Sequence, residues 1–156
     1  MQHVMDRKAA DNKYLHRDFH VSGDVGVAYI GERYGDNGVR EMLTSFARKF
    51  YAPLVERIKQ DGLKAMERHI LGVYEIEEAS DAVVTECTDE ELTVRVSYCP
   101  AVRFMKASGH TPSKWYVETT RTVHMAIADD ADIGFEMLSY DEDTGAAEYR
   151  FFRRAL

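Results

Sequence analysis

The sequence predicts an α+β domain in which amphipathic helices come first and a small antiparallel sheet, interrupted by a helical segment, follows. Three observations predict it. Apolar residues recur three and four apart through the first half; from Ala82 the alternation becomes that of a strand; and no regular strand–helix alternation calls for a doubly wound parallel sheet. A chain of 156 residues is long enough to close one hydrophobic core without a metal or disulfide staple, so a single domain over 1–156 is expected.

The opening stretch to about Phe19 is polar and reads as a short helix or a loosely docked arm, with residues 1–20 as the candidate mobile segment. Ser22 is then the expected N-cap of a helix from Gly23 to about Tyr34, with Asp24 near its positive end and Gly35 as its stop. Asn37 caps the next helix, whose Val39, Met42, Leu43, Phe46, Ala47, Phe50, Leu54 and Ile58 form the clearest buried stripe in the chain. Pro53 lacks a backbone donor and should kink or divide that helix. Beyond Gly62, Leu63, Met66, Ile70, Val73 and Tyr74 continue as another helical stripe.

In the second half, Leu92, Val94, Val96 and Tyr98 alternate with polar partners, as in a half-buried strand. Thr88 to Glu91 is read as the turn joining that strand to AVVTEC. Pro100 opens a helix that Gly109 stops, and Thr111 with Pro112 repeats the signal ahead of a helix over SKWYVETTRTVHMAIA. A final hairpin pairs FEMLSY with AAEYRFF across DEDTG, where Gly145 suits a positive-φ position.

Composition narrows the function. Hydrophobic residues at 45% and charged residues at 30% support a folded core, while a net charge of −7 without a basic, aromatic-laced stripe disfavours nucleic acid. The first twenty residues hold neither a signal-peptide core nor a membrane span, which predicts a cytoplasmic protein with no membrane partner. Cys87 and Cys99 then read as reduced thiols: in the expected hairpin they lie roughly 23 Å apart, against the ~7 Å Cα limit of a disulfide. No phosphate loop, dinucleotide fingerprint, nucleophile elbow or paired-cysteine motif occurs, so no cofactor is expected.

Three groups of residues can carry chemistry. Cys99 leaves a strand just before a Pro-initiated helix, where backbone N–H groups and the helix dipole favour thiolate; a small buried structural cysteine is the alternative. Glu118, Thr119, Thr122 and Trp115 share a helical face with Arg121 one turn on, a set able to hold a polar ligand such as a carboxylate, or to form an exposed ion pair. His16 and His20 in HRDFH are spaced to share a helical face, but no third ligand is identifiable, so a polar-site or capping role is read in place of a metal. His124 points away from the Glu118 face and reads as a packed or surface histidine.

Taken together, KYLHRDFH, the helix ending RYG, FARKFYAPLVERIKQDGL, CPAV, YVETTRTV and the terminal YRFFRR resemble the L-2-amino-thiazoline-4-carboxylate hydrolase family over about residues 13–154. The resemblance implies an α+β fold and a small cyclic amidine substrate whose ring is opened by water, at a C–N bond that is not a peptide bond. With it, Cys99 would be nucleophile or thiol contact, Glu118 or His20 would move protons, and Arg121, Thr119, Trp115 and His16 would bind substrate. The element order is also similar to that of vinyl-reductase-like small-ligand domains, which implies binding or sensing without turnover. A third expectation is a structural or oligomerising module, such as a homodimer joined through an exposed strand edge or helix face.

Overall fold

The computed structural model describes residues 17–155. Five helices, α1 (Asp18–Phe50), α2 (Ala52–Asp61), α3 (Leu63–Ile76), α4 (Pro100–Ala107) and α5 (Glu118–Asp130), combine with β1 (Val83–Cys87), β2 (Glu91–Val96), β3 (Ile133–Tyr140) and β4 (Ala147–Arg153). The strands form one antiparallel sheet in the order β1-β2-β4-β3, so the fold is α+β as the periodicities predict. Among the described residues no helix is long and apolar enough to cross a membrane.

The helical half differs in detail from the sequence reading. Helix α1 starts at Asp18, not after Ser22, so the last residues of the expected arm are helical; residues 1–16 of that arm lie outside the described residues. Ser22 sits one turn inside, its hydroxyl 3.4 and 3.2 Å from the carbonyls of Asp18 and Phe19, which satisfies it without a capping role. Gly35 breaks α1 without ending it: φ 69° and ψ −169° form a backbone conformation that is essentially glycine's alone, and helical residues continue on both sides. Pro53 does divide the next segment, standing in the first turn of α2 where its missing donor costs nothing. The stripe of Val39, Leu43, Ala47, Leu54 and Ile58 is buried as expected. Phe46 and Phe50 are exposed instead, flanking that stripe and stacked on each other with ring centroids 5.2 Å apart.

The sheet buries one face and charges the other. Leu92 lies opposite Phe151 and Val94 opposite Tyr149, all four buried, with Phe135 beside Phe151 on the same side. On the outer face, Arg95 contacts Glu86 and Glu148, and Arg150 contacts Glu91 and Glu136, cross-strand pairs that the period of two places side by side. Cys87 pairs with Leu92 across a turn in which the Thr88 hydroxyl accepts the N–H groups of Glu90 and Glu91, as the turn reading of this segment requires. Both cysteines are free. Tyr98 departs from expectation: β2 stops at Val96, and the Tyr98 ring lies under the Arg103 guanidinium with its hydroxyl donated to Asp81 at 2.9 Å. In β3 the register slips between Met137 and Ser139, a bulge that leaves Leu138 exposed.

The segment between α4 and α5 is held by a carboxylate the sequence did not single out for that role. Asp24 is 1% exposed, and it takes the N–H of Ser113 at 2.9 Å, the Ser113 hydroxyl at 2.8 Å and Nε2 of His110 at 2.8 Å. These bonds hold Ser113 out of a helix, so Lys114–Val117 forms tight turns and α5 begins at Glu118, five residues later than the Thr111–Pro112 signal suggests. Trp115 then lies flat on Gly31 of α1, where an added Cβ would meet the indole at 2.4 Å, and donates Nε1–H to Asp36 at 2.7 Å. Replacing Asp24 by Ala should lower stability by about 3 kcal/mol, because a buried charged acceptor is lost and its donors are stranded. Urea unfolding measures this, and a loss below about 1 kcal/mol would show that the loop is held by other contacts.

Candidate functional site

A cavity of about 230 Å³ opens where the start of α1, the end of α3, the start of α4 and the side of α5 meet the buried face of the sheet. Five tyrosines, at 51, 74, 116, 140 and 149, supply most of its aromatic wall. Its polar lining includes His20, Glu77, Cys99, His69 and His124. Among the described residues no lysine or arginine lines it, and Glu77 is its one carboxylate.

Cys99 reaches the cavity because β2 has already ended and the chain turns into α4, for which Cys99 is the residue before the first turn. Its N–H is donated to the carbonyl of Thr144 at 2.9 Å, and the turn between β3 and β4 packs directly on it. Gly145 makes this approach possible: its φ is +70°, and a Cβ there would come within 2.4 Å of the Cys99 Cβ. Burial pushes the Cys99 thiol pKa up, with the nearby Glu77 carboxylate adding to that; the N–H groups of Val102 and Ala101 and the Tyr116 hydroxyl pull the other way. The helix-start stabilisation of thiolate read from the sequence is therefore present but outweighed by desolvation, and at neutral pH Cys99 is a thiol.

His20, in the first turn of α1, faces Glu77 at the end of α3, with Nε2 2.9 Å from Oε1. That contact is an ion pair when the imidazole is protonated, and among the described residues Oε2 of Glu77 is buried without a hydrogen bond. A carboxylate oxygen in this state on a cavity wall can accept from a ligand's donor. His124 is held by the rings of Phe135, Tyr149 and Phe151, with centroids 5.6, 5.1 and 5.4 Å away. Burial, then the neighbouring His69, drives its pKa down to about 3, so it is neutral, and its Nδ1 also lacks a partner. Its packed environment agrees with the sequence reading, but its place on the cavity wall does not follow from that reading.

The predicted site residues divide between two places. Cys99, His20 and Thr119 line the cavity. Glu118, Arg121 and Trp115 do not; they belong to the contact between α5 and α1. There the Glu118 carboxylate, 4% exposed, is bonded by Arg121 and by the Thr122 hydroxyl at 2.6 Å, with Nη2 of Arg40 at 3.3 Å. Burial favours its neutral form, but those partners prevail and hold its pKa below the ordinary carboxylate range. The shared face of Glu118 and Thr122 is as the spacing predicts, whereas Trp115 precedes the helix and so falls off that face. His16 lies outside the described residues, and among the described residues no cluster of three histidine, cysteine or carboxylate side chains suits a metal. Glu77 and Tyr116 escaped the sequence reading. Nothing in the run EIEE separates Glu77 from Glu75 and Glu78, and Tyr116 is placed by the Asp24-pinned turn.

The chain matches no protein-family model, and no curated protein matches it significantly.

The depressed pKa of His124 links stability to pH. Unfolded, the imidazole binds a proton near pH 6.5, but folded it does so only near 3, so the unfolded state gains protons first as the solution is acidified. The contribution is complete above about pH 6.5 and is lost progressively as pH falls toward 3. Unfolding free energy should therefore fall from pH 7 to pH 5, and His124→Phe should flatten that slope. An unchanged slope in the variant would mean that the imidazole is hydrated in the folded state.

Proposed function

We propose that the chain hydrolyses a C–N bond in a small cyclic amidine bound in the Cys99 cavity. The carrying observation is that three segments behind the resemblance to the thiazoline-carboxylate hydrolase family supply residues to one cavity. KYLHRDFH brings His20, CPAV brings Cys99, and YVETTRTV brings Tyr116 and Thr119. A second support is charge. An amidine is a flat, cationic group with N–H donors on two sides, and Glu77 offers a carboxylate in a cavity lined by no lysine or arginine among the described residues, with the His20 imidazole as its one close neighbour at 2.9 Å.

In this reading Glu77 holds the amidinium and orients it against the aromatic wall. Water adds to the amidine carbon, its proton passing to His20, and the ring C–N bond then breaks as the departing nitrogen takes a proton back. Cys99 contacts the ring as a neutral thiol, a role favoured over nucleophile by the burial that raises its pKa. Arg121, committed to Glu118 outside the cavity, takes no part in holding the substrate, and Glu118 acts by keeping α5 against α1.

The raised Cys99 pKa also favours a second reading, a small-ligand binding or sensing domain without turnover. Ring opening of 2-amino-thiazoline-4-carboxylate, followed by chromatography, separates the two. Turnover is expected with wild type, with at least about a hundredfold loss in His20→Gln, as for a removed proton-transfer group. Cys99→Ala should retain most activity. Binding of the amidine without ring opening would establish the second reading, and inactivity of Cys99→Ala with intact binding would restore Cys99 as nucleophile.

A further inference from the structure

An apolar groove of about 650 Å³ runs along α1 and adjoins the Cys99 cavity. It is lined from both sides of the Gly35 break, by Val27 and Ile30 before it and Met42, Leu43 and Phe46 after it. The two spaces are neighbours: His20, Tyr51, Tyr116, Thr119 and Val123 border both.

The groove is open where glycine stands. Gly23 and Gly26 border it, and among the described residues a Cβ at either would find nothing within 4 Å. Both lie inside a helix, where glycine is disfavoured by about 1 kcal/mol relative to alanine, and neither has the positive φ or close approach that requires glycine elsewhere in the fold. The two residues keep a lane clear along the groove without any packing need for it.

We propose that cavity and groove form one site for an amphiphilic ligand. Its compact amidine or amine head lies at His20 and Glu77, and its apolar tail lies along α1 over Gly23 and Gly26. The head assignment rests on the reading above, while the tail assignment rests on the groove alone. Size supports the extension. A cavity of 230 Å³ falls below the ~300–1,000 Å³ of sites that enclose drug-sized molecules, and with the groove it enters that range. The separation of character supports it too, with the His20–Glu77 pair at one end and aliphatic or aromatic walls along the other.

The test is titration calorimetry of the full chain with acetamidine, butanamidine, hexanamidine and octanamidine, all below the concentrations at which they form micelles. Affinity should rise about fourfold per methylene until the groove is filled. In Gly26→Leu the new side chain enters open space, so the protein should fold as before by circular dichroism. The ratio of octanamidine to acetamidine affinity should fall by about tenfold, the equivalent of about two methylene contacts. Affinity that stays flat with chain length, or a chain-length gain that Gly26→Leu leaves intact, would overturn the proposal. Matching straight-chain alcohols separate head from tail. If they bind as tightly as the amidines with the same chain-length dependence, the tail stands and the amidine head fails, together with the function proposed above. Sedimentation that finds a wild-type dimer dissociated by Gly26→Leu would overturn the tail assignment by giving the groove to a second copy of the chain.

Discussion

Much of the arrangement depends on one buried carboxylate. Asp24 sits in the first part of α1, and it is satisfied by two groups of Ser113 and by His110. A buried charge needs several donors to offset its lost hydration, and the segment between α4 and α5 supplies them by folding onto α1. Once Ser113 is held there, the following turns lay Trp115 on Gly31 and direct Tyr116 into the cavity. The same constraint sets where α5 begins, and therefore which residues of YVETTRTV face inward.

A second buried acid works differently. Glu118 is bonded by Arg121 and Thr122 on its own helix and approached by Arg40 from α1, so it clamps two helices and is fully occupied in doing so. Glu77 and His20 are the contrast: they face each other across 2.9 Å on the cavity wall, and among the described residues Oε2 of Glu77 stays buried without a hydrogen bond. Satisfied networks rigidify a fold, whereas unsatisfied polar atoms on a cavity wall hold bonding capacity for a ligand. That difference moves the chemical interest from the Glu118–Arg121 pair toward the junction of α1, α3 and α4.

The cavity's electrostatics follow from burial more than from charge. The Tyr74, Tyr116, Tyr140 and Tyr149 hydroxyls are pushed up and His124 is pushed down, all chiefly by desolvation, so this wall is neutral at physiological pH. Against such a wall a single carboxylate acts at a lower effective dielectric than it would in water, which strengthens its attraction for a cationic group.

Residue patterning sufficed for the fold class, the Thr88–Glu91 turn with Cys87 opposite Leu92, the division at Pro53, the stripe through Val39, Leu43 and Ala47, and the hairpin closed by Gly145. Each of these depends on neighbours a few residues away, where period, proline geometry and glycine's freedom act locally. The start of α1 before Ser22, the exposure of Phe46 and Phe50, the late start of α5 and the removal of Tyr98 from the strand were decided by tertiary contacts. Cys99 was visible as a residue entering a helix, but the desolvation that keeps it a thiol comes from a cavity assembled by α1, α3, α4, α5 and the β3–β4 turn. His20 and Glu77 stand 57 positions apart, and no spacing rule spans such a distance; only the packing of α3 beside the start of α1 brings them face to face.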